Sequence, residues 1–193
     1  MTQTYYPDTT DRDTYLTGFL YEKNLASTQG ASSSLTLAVP ASATASGMWT
    51  TDANQPGATS WNGTYTLHFD VTASGTDLTI NSATVRGINA SLSGASSPAW
   101  NDSVAAGDWD SRTGTGLKTA VAALAYSVDP QMSTTDRAVL QVYIGNSSSM
   151  KAEDWVIAVG AGSSTDFTAP WSATVEDTRV PARNTQYVQL LAH

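Results

Sequence analysis

The sequence predicts an all-β protein: a two-sheet antiparallel sandwich of jelly-roll type, preceded by an extended N-terminal arm. Three observations carry this. Apolar runs of six or seven residues, rich in Val, Ile and aromatics, recur between Gly/Ser/Asn/Asp breaks, as strands do. Tyr65, Leu67, Phe69 and Val71 alternate with Thr64, Thr66, His68 and Asp70, the period of a half-buried strand. No amphipathic helix and no solenoid or propeller repeat accompanies them.

In chain order, residues 1–15 are polar and aromatic without strand or helix periodicity, and are expected to be an arm. Tyr5, Tyr6 and Tyr15 are its candidate anchors on a neighbouring subunit, because Tyr is favoured at interfaces. The remainder, 16–193, is expected to be a single sandwich domain. Leu16 to Tyr21 reads as a short strand, Asn24 to Ser34 as a Ser/Gly/Ala linker, and Leu35 to Val39 as a strand with Leu35, Leu37 and Val39 on one face. Pro40 to Gly63 is turn-rich, and its Trp49 and Trp61 are expected to cover a sheet edge or an end of the core. After the alternating strand, Gly75 turns the chain into a strand over Leu78 to Ile88, with Leu78 and Ile80 inward.

Ser91 to Gly116 is the least regular stretch, and long loops in compact domains tend to be functional. Ala120 to Ala125 has helical propensity, but Leu117 to Val128 is read as a strand. Ala138 to Ile144 and Asp154 to Gly160 follow as two strands joined by a long hairpin connection, and Thr185 to Leu191 is a last strand.

Composition narrows function. The 193 residues carry 40% hydrophobic but only 13% charged residues. About a quarter are Ser or Thr, so the surface must be largely hydroxylated. A net charge of -8 disfavours nucleic acid and anionic membranes as partners. There is no cysteine, hence no disulfide and no thiolate metal site. No apolar run reaches membrane-spanning length and no signal peptide follows Met1, so synthesis in a host cytoplasm is expected.

Chemistry-bearing motifs are sparse. HExxH, P-loop, GxGxxG and Gly-x-Ser-x-Gly patterns do not occur. His68 reads as a solvated strand histidine, and the expectation is that the chain is not an enzyme. Asp108 and Asp110, with Asp102 nearby, resemble a Ca²⁺ loop but lack its closing Glu. No metal and no cofactor are expected. A binding-module alternative places a carbohydrate or receptor on Trp100 and Trp109 in the irregular loop, against the plainer reading that these rings close the core. Asn-x-Ser/Thr triplets occur at Asn62, Asn89, Asn101 and Asn146; such a Ser/Thr content produces about two by chance, and without a signal peptide they carry little meaning.

The layout resembles the β-sandwich virion structural proteins of tailed bacteriophages, of the decoration, head-fibre or tail-accessory type. The matching features are the aromatic start Thr4-Tyr5-Tyr6-Pro7 and the Ser/Thr-rich segment Ser27 to Thr36. A Trp precedes the strand Tyr65 to Val71, whose partner strand carries Arg86. Asp136-Arg137 then introduces the alternating run to Tyr143, and the ending is Thr168-Ala169-Pro170-Trp171. The Ser91 to Gly116 insert departs from that pattern. The resemblance implies a homo-oligomeric virion component that binds the major capsid protein or other virion proteins, with the arm and the long loop as contact regions. It implies no catalytic residues.

Overall fold

A computed structural model describes residues 2–11, 22–51, 62–88, 100–124 and 137–170. Within them the regular structure is strand apart from one short 3₁₀ turn, Ala106–Asp108. The strands are β1 (Gln3–Asp11), β2 (Glu22–Ala26), β3 (Ser33–Val39), β4 (Thr44–Thr50), β5 (Gly63–Ser74), β6 (Leu78–Ile88), β7 (Trp100–Val104), β8 (Gly116–Leu124), β9 (Arg137–Asn146), β10 (Glu153–Val159) and β11 (Asp166–Ala169). The all-β class expected from the sequence is the one observed.

The eight strands β3 to β10 pair in a nested order. β3 pairs β10, β4 pairs β9, β5 pairs β8 and β6 pairs β7, all antiparallel. Two further pairings, β10 with β5 and β9 with β6, fold this long ribbon into two sheets. One sheet runs β3-β10-β5-β8 and the other β4-β9-β6-β7. That nesting is the wiring of an eight-stranded jelly roll. The sheets face each other across one apolar core. Leu37, Val39, Phe69, Val71, Trp155 and Ile157 come from the first, and Trp49, Ile80, Val85, Leu140, Val142 and Ile144 from the second. Phe69 and Trp49 meet across the gap with ring centroids 5.9 Å apart.

Three strands extend this frame. β11 continues the line of β10 along β5, and Thr165 bridges the break by donating to the Ala158 carbonyl (2.6 Å) and accepting from the Asp70 amide (2.9 Å). β1 pairs β11 through residues 3–5, then crosses to β2 from Tyr6 onward. β2 runs parallel to β4, the one departure from purely antiparallel pairing among the described strands.

Several expectations are corrected. Residues 3–11 are not an aperiodic arm but a strand of both sheets, with Tyr5 and Pro7 turned inward. Pro7, which cannot donate a ladder hydrogen bond, sits just past the point where β1 changes partners. The start of the expected Asn24 to Ser34 linker belongs to the strand Glu22–Ala26, and Thr44–Thr50, within the stretch read as turn-rich, is also a strand. β9 and β10 are not a hairpin: β9 pairs β4 and β6, whereas β10 pairs β3 and β5. The strands expected at Leu16 to Tyr21 and Thr185 to Leu191 lie outside the described residues, as do Tyr15 and Trp61.

Candidate functional site

The short connections β3–β4, β5–β6 and β9–β10 meet at one end of the sandwich, here the turn end. Asn146 ties them together. Its side-chain amide donates to the Val39 and Lys151 carbonyls, both at 3.0 Å, and its oxygen accepts from the Ser148 amide at 2.9 Å. Backbone bonds from Ser42 N to Ser148 O (2.8 Å), Asn146 N to Ala43 O (2.9 Å) and Ser147 N to Asp77 O (3.0 Å) complete the lacing. Beside it, buried Glu153 holds the Lys151 ammonium at 2.7 Å and accepts from the Asp77 amide at 2.9 Å. The hydrogen bond from Lys151 keeps the Glu153 carboxyl below its ordinary value, and Glu153 in turn raises Lys151.

On the outer face of this end lies a groove of about 520 Å³ lined by Ser42, Thr44, Asp77, Thr79, Asn81 and Gly145, with Ala43, Asn146 and Ser147. Register explains its shape. Gly145 of β9 sits between Thr44 of β4 and Thr79 of β6, so a residue without a side chain separates two threonines. The β6–β9 ladder then slips between Ile80 and Ser82, and this bulge swings Asn81 over Gly145. A Cβ at position 145 would come within 2.5 Å of Asn81 Nδ2. Ser42 completes the rim with a left-handed φ of 52°.

The residues chosen from sequence fall elsewhere. Tyr5 is 0% exposed within the core, so it is no anchor for a neighbouring subunit, and burial pushes its phenol far up. Tyr6 is half-buried on β1 opposite Ala26. Trp100 opens β7 against Gly87, and its side chain lies outside the described set. Trp109 is 7% exposed and stacks on Phe69 at 6.0 Å and 19°, so it offers no platform for a sugar. Trp49, expected to cover a sheet edge or an end of the core, is buried in the core at 3% exposure. Asp108 accepts from the Ala105 amide (2.7 Å) and Asp110 from the Thr119 amide (2.9 Å), so both serve the turn that carries Trp109. His68 is not simply solvated: its Nδ1 lies 2.8 Å from Asp166 Oδ1, across the β5–β11 pair on an open sheet face.

A smaller apolar slot of about 50 Å³ opens between the sheets near Leu35, Leu37, Gly47, Trp49, Trp155 and Ile157. Its origin is Gly47, over which the Trp49 ring folds so closely that a Cβ would lie 3.0 Å from it. Neither this slot nor the polar groove has a sequence motif. The detectable hint for the groove was the pair of Gly-Asn and Asn-Ser turn signals around position 146.

No protein-family model and no curated protein matches the chain. Among solved structures it is similar to a CocE/NonD family hydrolase from Staphylococcus aureus, at 10% identity and a TM-score of 0.43, over 89% of this chain and 36% of the hydrolase. A second structure of that hydrolase matches at 11% identity and TM-score 0.40. An infectious bursal disease virus structure matches at 12% identity and TM-score 0.20, over 78% of this chain and 45% of the viral one. The chain thus spans about a third of the hydrolase it matches. The expectation that the chain is not an enzyme is corrected: the solved structures it is similar to over 89% of its length include a hydrolase. Scores this low transfer no activity to this chain.

Proposed function

We propose that this chain is a virion component of a tailed bacteriophage, a jelly-roll module that assembles through the outer face of the β3-β10-β5-β8 sheet. Its partners in this reading are the major capsid protein or another virion protein, and further copies of itself. The observation that carries the reading is the face β8 turns to solvent. Leu117 and Val121 are 47% and 50% exposed, and Ala123 is exposed beside them. Their cross-strand neighbours on β5 are Asp70, Thr66 and Thr64. Isolated exposed aliphatics are ordinary. Here they line up on one strand beside two threonines and a single carboxylate, on a chain whose charged share is 13%. Low charge with aliphatic contact is the composition of an interface core. The resemblance in layout to tailed-phage sandwich proteins points the same way.

The test is Leu117→Asp with Val121→Asp, compared with the unchanged chain by light scattering and by incorporation into phage particles. Loss of self-association and of incorporation, with an unchanged unfolding midpoint, is the expected result. Normal incorporation of the double variant overturns this face as the contact. A wild-type chain that is monomeric and absent from particles overturns the assembly reading itself.

A further inference from the structure

The groove at the turn end lies on the other sheet from the assembly face and is built differently. Its backbone is laced by the turn hydrogen bonds and by Asn146, yet the side chains of Ser42, Thr44, Asp77, Thr79 and Asn81 make no hydrogen bond among the described residues. Five polar side chains thus stand on a rigid frame with hydrogen-bonding capacity open to a ligand, the Asp77 carboxylate also attracting the Lys151 ammonium, and that is the first half of a binding site. The frame departs from regular geometry at three adjacent points: the bulge at Asn81, the glycine opposite it and the left-handed Ser42. Such departures cluster at sites that bind something.

The chemistry of the lining selects the ligand. Three hydroxyls and an amide both donate and accept, and the Asp77 carboxylate accepts only. A row of alcohols, each donor and acceptor at once, matches that set. The carboxylate repels anions, reinforced by a net charge of -8. One carboxylate does not hold a cation, and no cluster of three or more His, Cys, Asp or Glu occurs among the described residues. A volume of about 520 Å³ falls within the range of small-molecule sites, roughly 300–1,000 Å³.

We propose that this groove binds a neutral saccharide, with Thr44 on one wall, Thr79 and Asn81 on the other, and the Asp77 carboxylate accepting from a pair of ring hydroxyls at the turn. Gly145 forms the floor, where a side chain would displace Asn81 and fill the trough. No aromatic ring lines the groove, so a single glycoside binds at about 1 mM or weaker. Copies displayed together on a particle would raise the effective affinity by avidity.

The experiment is a titration of the isotopically labelled full chain with the methyl glycosides of glucose, galactose, mannose and N-acetylglucosamine, followed by amide NMR up to about 50 mM, well above that affinity. Saturable shifts confined to Thr44, Thr79, Asn81, Gly145 and their neighbours are expected with at least one glycoside. Asp77→Asn and Thr79→Ala, both at accessible positions, should each weaken binding roughly fivefold with no change in unfolding midpoint. Asn81→Ala should do the same; if it perturbs the bulge, the other two variants decide. The proposal is overturned if none of the four glycosides gives saturable shifts, or if the variants bind as the wild type does. It is also overturned if CaCl₂, and no glycoside, moves these amides. None of these outcomes alters the assembly test, which reads a different sheet.

Discussion

Replacing Trp109 separates a core tryptophan from a ligand platform, because the two roles predict opposite losses. In the structure the Trp109 backbone bridges to Ala120 of β8, and its ring is 7% exposed and stacks on Phe69, which also contacts Trp49 at 5.9 Å and Trp155 at 5.5 Å. Truncating a buried Trp to Ala costs about 3–5 kcal/mol. The indole Nε1 has no hydrogen-bond partner among the described residues, so truncation also removes an unsatisfied buried donor. That relief places the expected loss at the lower end, about 3 kcal/mol. Trp109→Phe keeps the stack on Phe69 and drops the N–H, so its cost should be about 1 kcal/mol or less. For a chain of 193 residues each kcal/mol moves the midpoint by about 2–4 °C, so the alanine variant should melt roughly 6–12 °C lower. Urea unfolding with an unchanged m-value gives the free energies directly. An alanine variant within about 0.5 kcal/mol of wild type would refute the core placement and return the ring to the surface.

Three further perturbations test the frame. Gly160 has φ +76° and a Cβ there would run into the Ala31 carbonyl oxygen, whereas Gly162, at φ +85°, has nothing within 4 Å. Gly162→Ala should therefore cost only the left-handed backbone term, about 1–2 kcal/mol, and Gly160→Ala clearly more; equal losses in urea would show that the contact with Ala31 is absent. Glu153 titrates below its ordinary 4.5 in the folded chain, so its contribution is present above that pH and lost as pH falls through the folded value. Glu153→Gln should remove this component of the acid-side decline in stability, and an unchanged urea-midpoint profile between about pH 5 and 3 would contradict the Lys151 pairing. Lys118 faces inward beside Phe69, 4% exposed, and its ammonium donates to the Thr113 and Thr115 carbonyls and to Ser111 Oγ at 2.8, 3.0 and 3.3 Å. Lys118→Met fills the same space but strands those acceptors, so a loss of about 1–3 kcal/mol with faster proteolysis between 111 and 115 is expected; wild-type values for both would remove its role as the clamp of that turn.

How much of this was legible in the sequence depended on how local the signal was. β5 and β6 announce themselves because each carries its own alternation, and Tyr65, Leu67, Phe69 and Val71 are all 1% exposed or less. β8 reads as ambiguous because alanines serve a helix or a strand equally, and only pairing with β5 decides. β1 and β4 are illegible for a physical reason. Their inward residues are few, Pro7 and Gly47 carry turn signals, and partners far away in the chain make them strands: Phe167 for Tyr5, Leu140 for Trp49. Trp109 misleads in the same way, since a tryptophan in a glycine-rich stretch looks exposed until Phe69 is placed beneath it.

The nested pairing explains why the candidate site has no motif at all. A jelly roll joins its first strand to its last and works inward, so turns that touch are distant in sequence. Ser42, Asp77 and Ser147 come from three separate connections yet border one groove. Each is unremarkable alone: a serine in a tight turn, an aspartate before a strand, a serine after an asparagine. What makes them a unit is the pairing of β4 and β6 on either side of β9, which sets Thr44, Gly145 and Thr79 in one row. The bulge that swings Asn81 over that row depends on a one-residue slip, and no residue type encodes a slip unambiguously. Gly145 is the position to watch. In an isolated strand a glycine only weakens the ladder. Opposite Asn81 it is the one residue that leaves the groove open, since any Cβ there meets the amide. The bulge that seats Asn81 over position 145 thus sets the same demand for glycine as an open trough does, so one residue serves the ladder and the groove together.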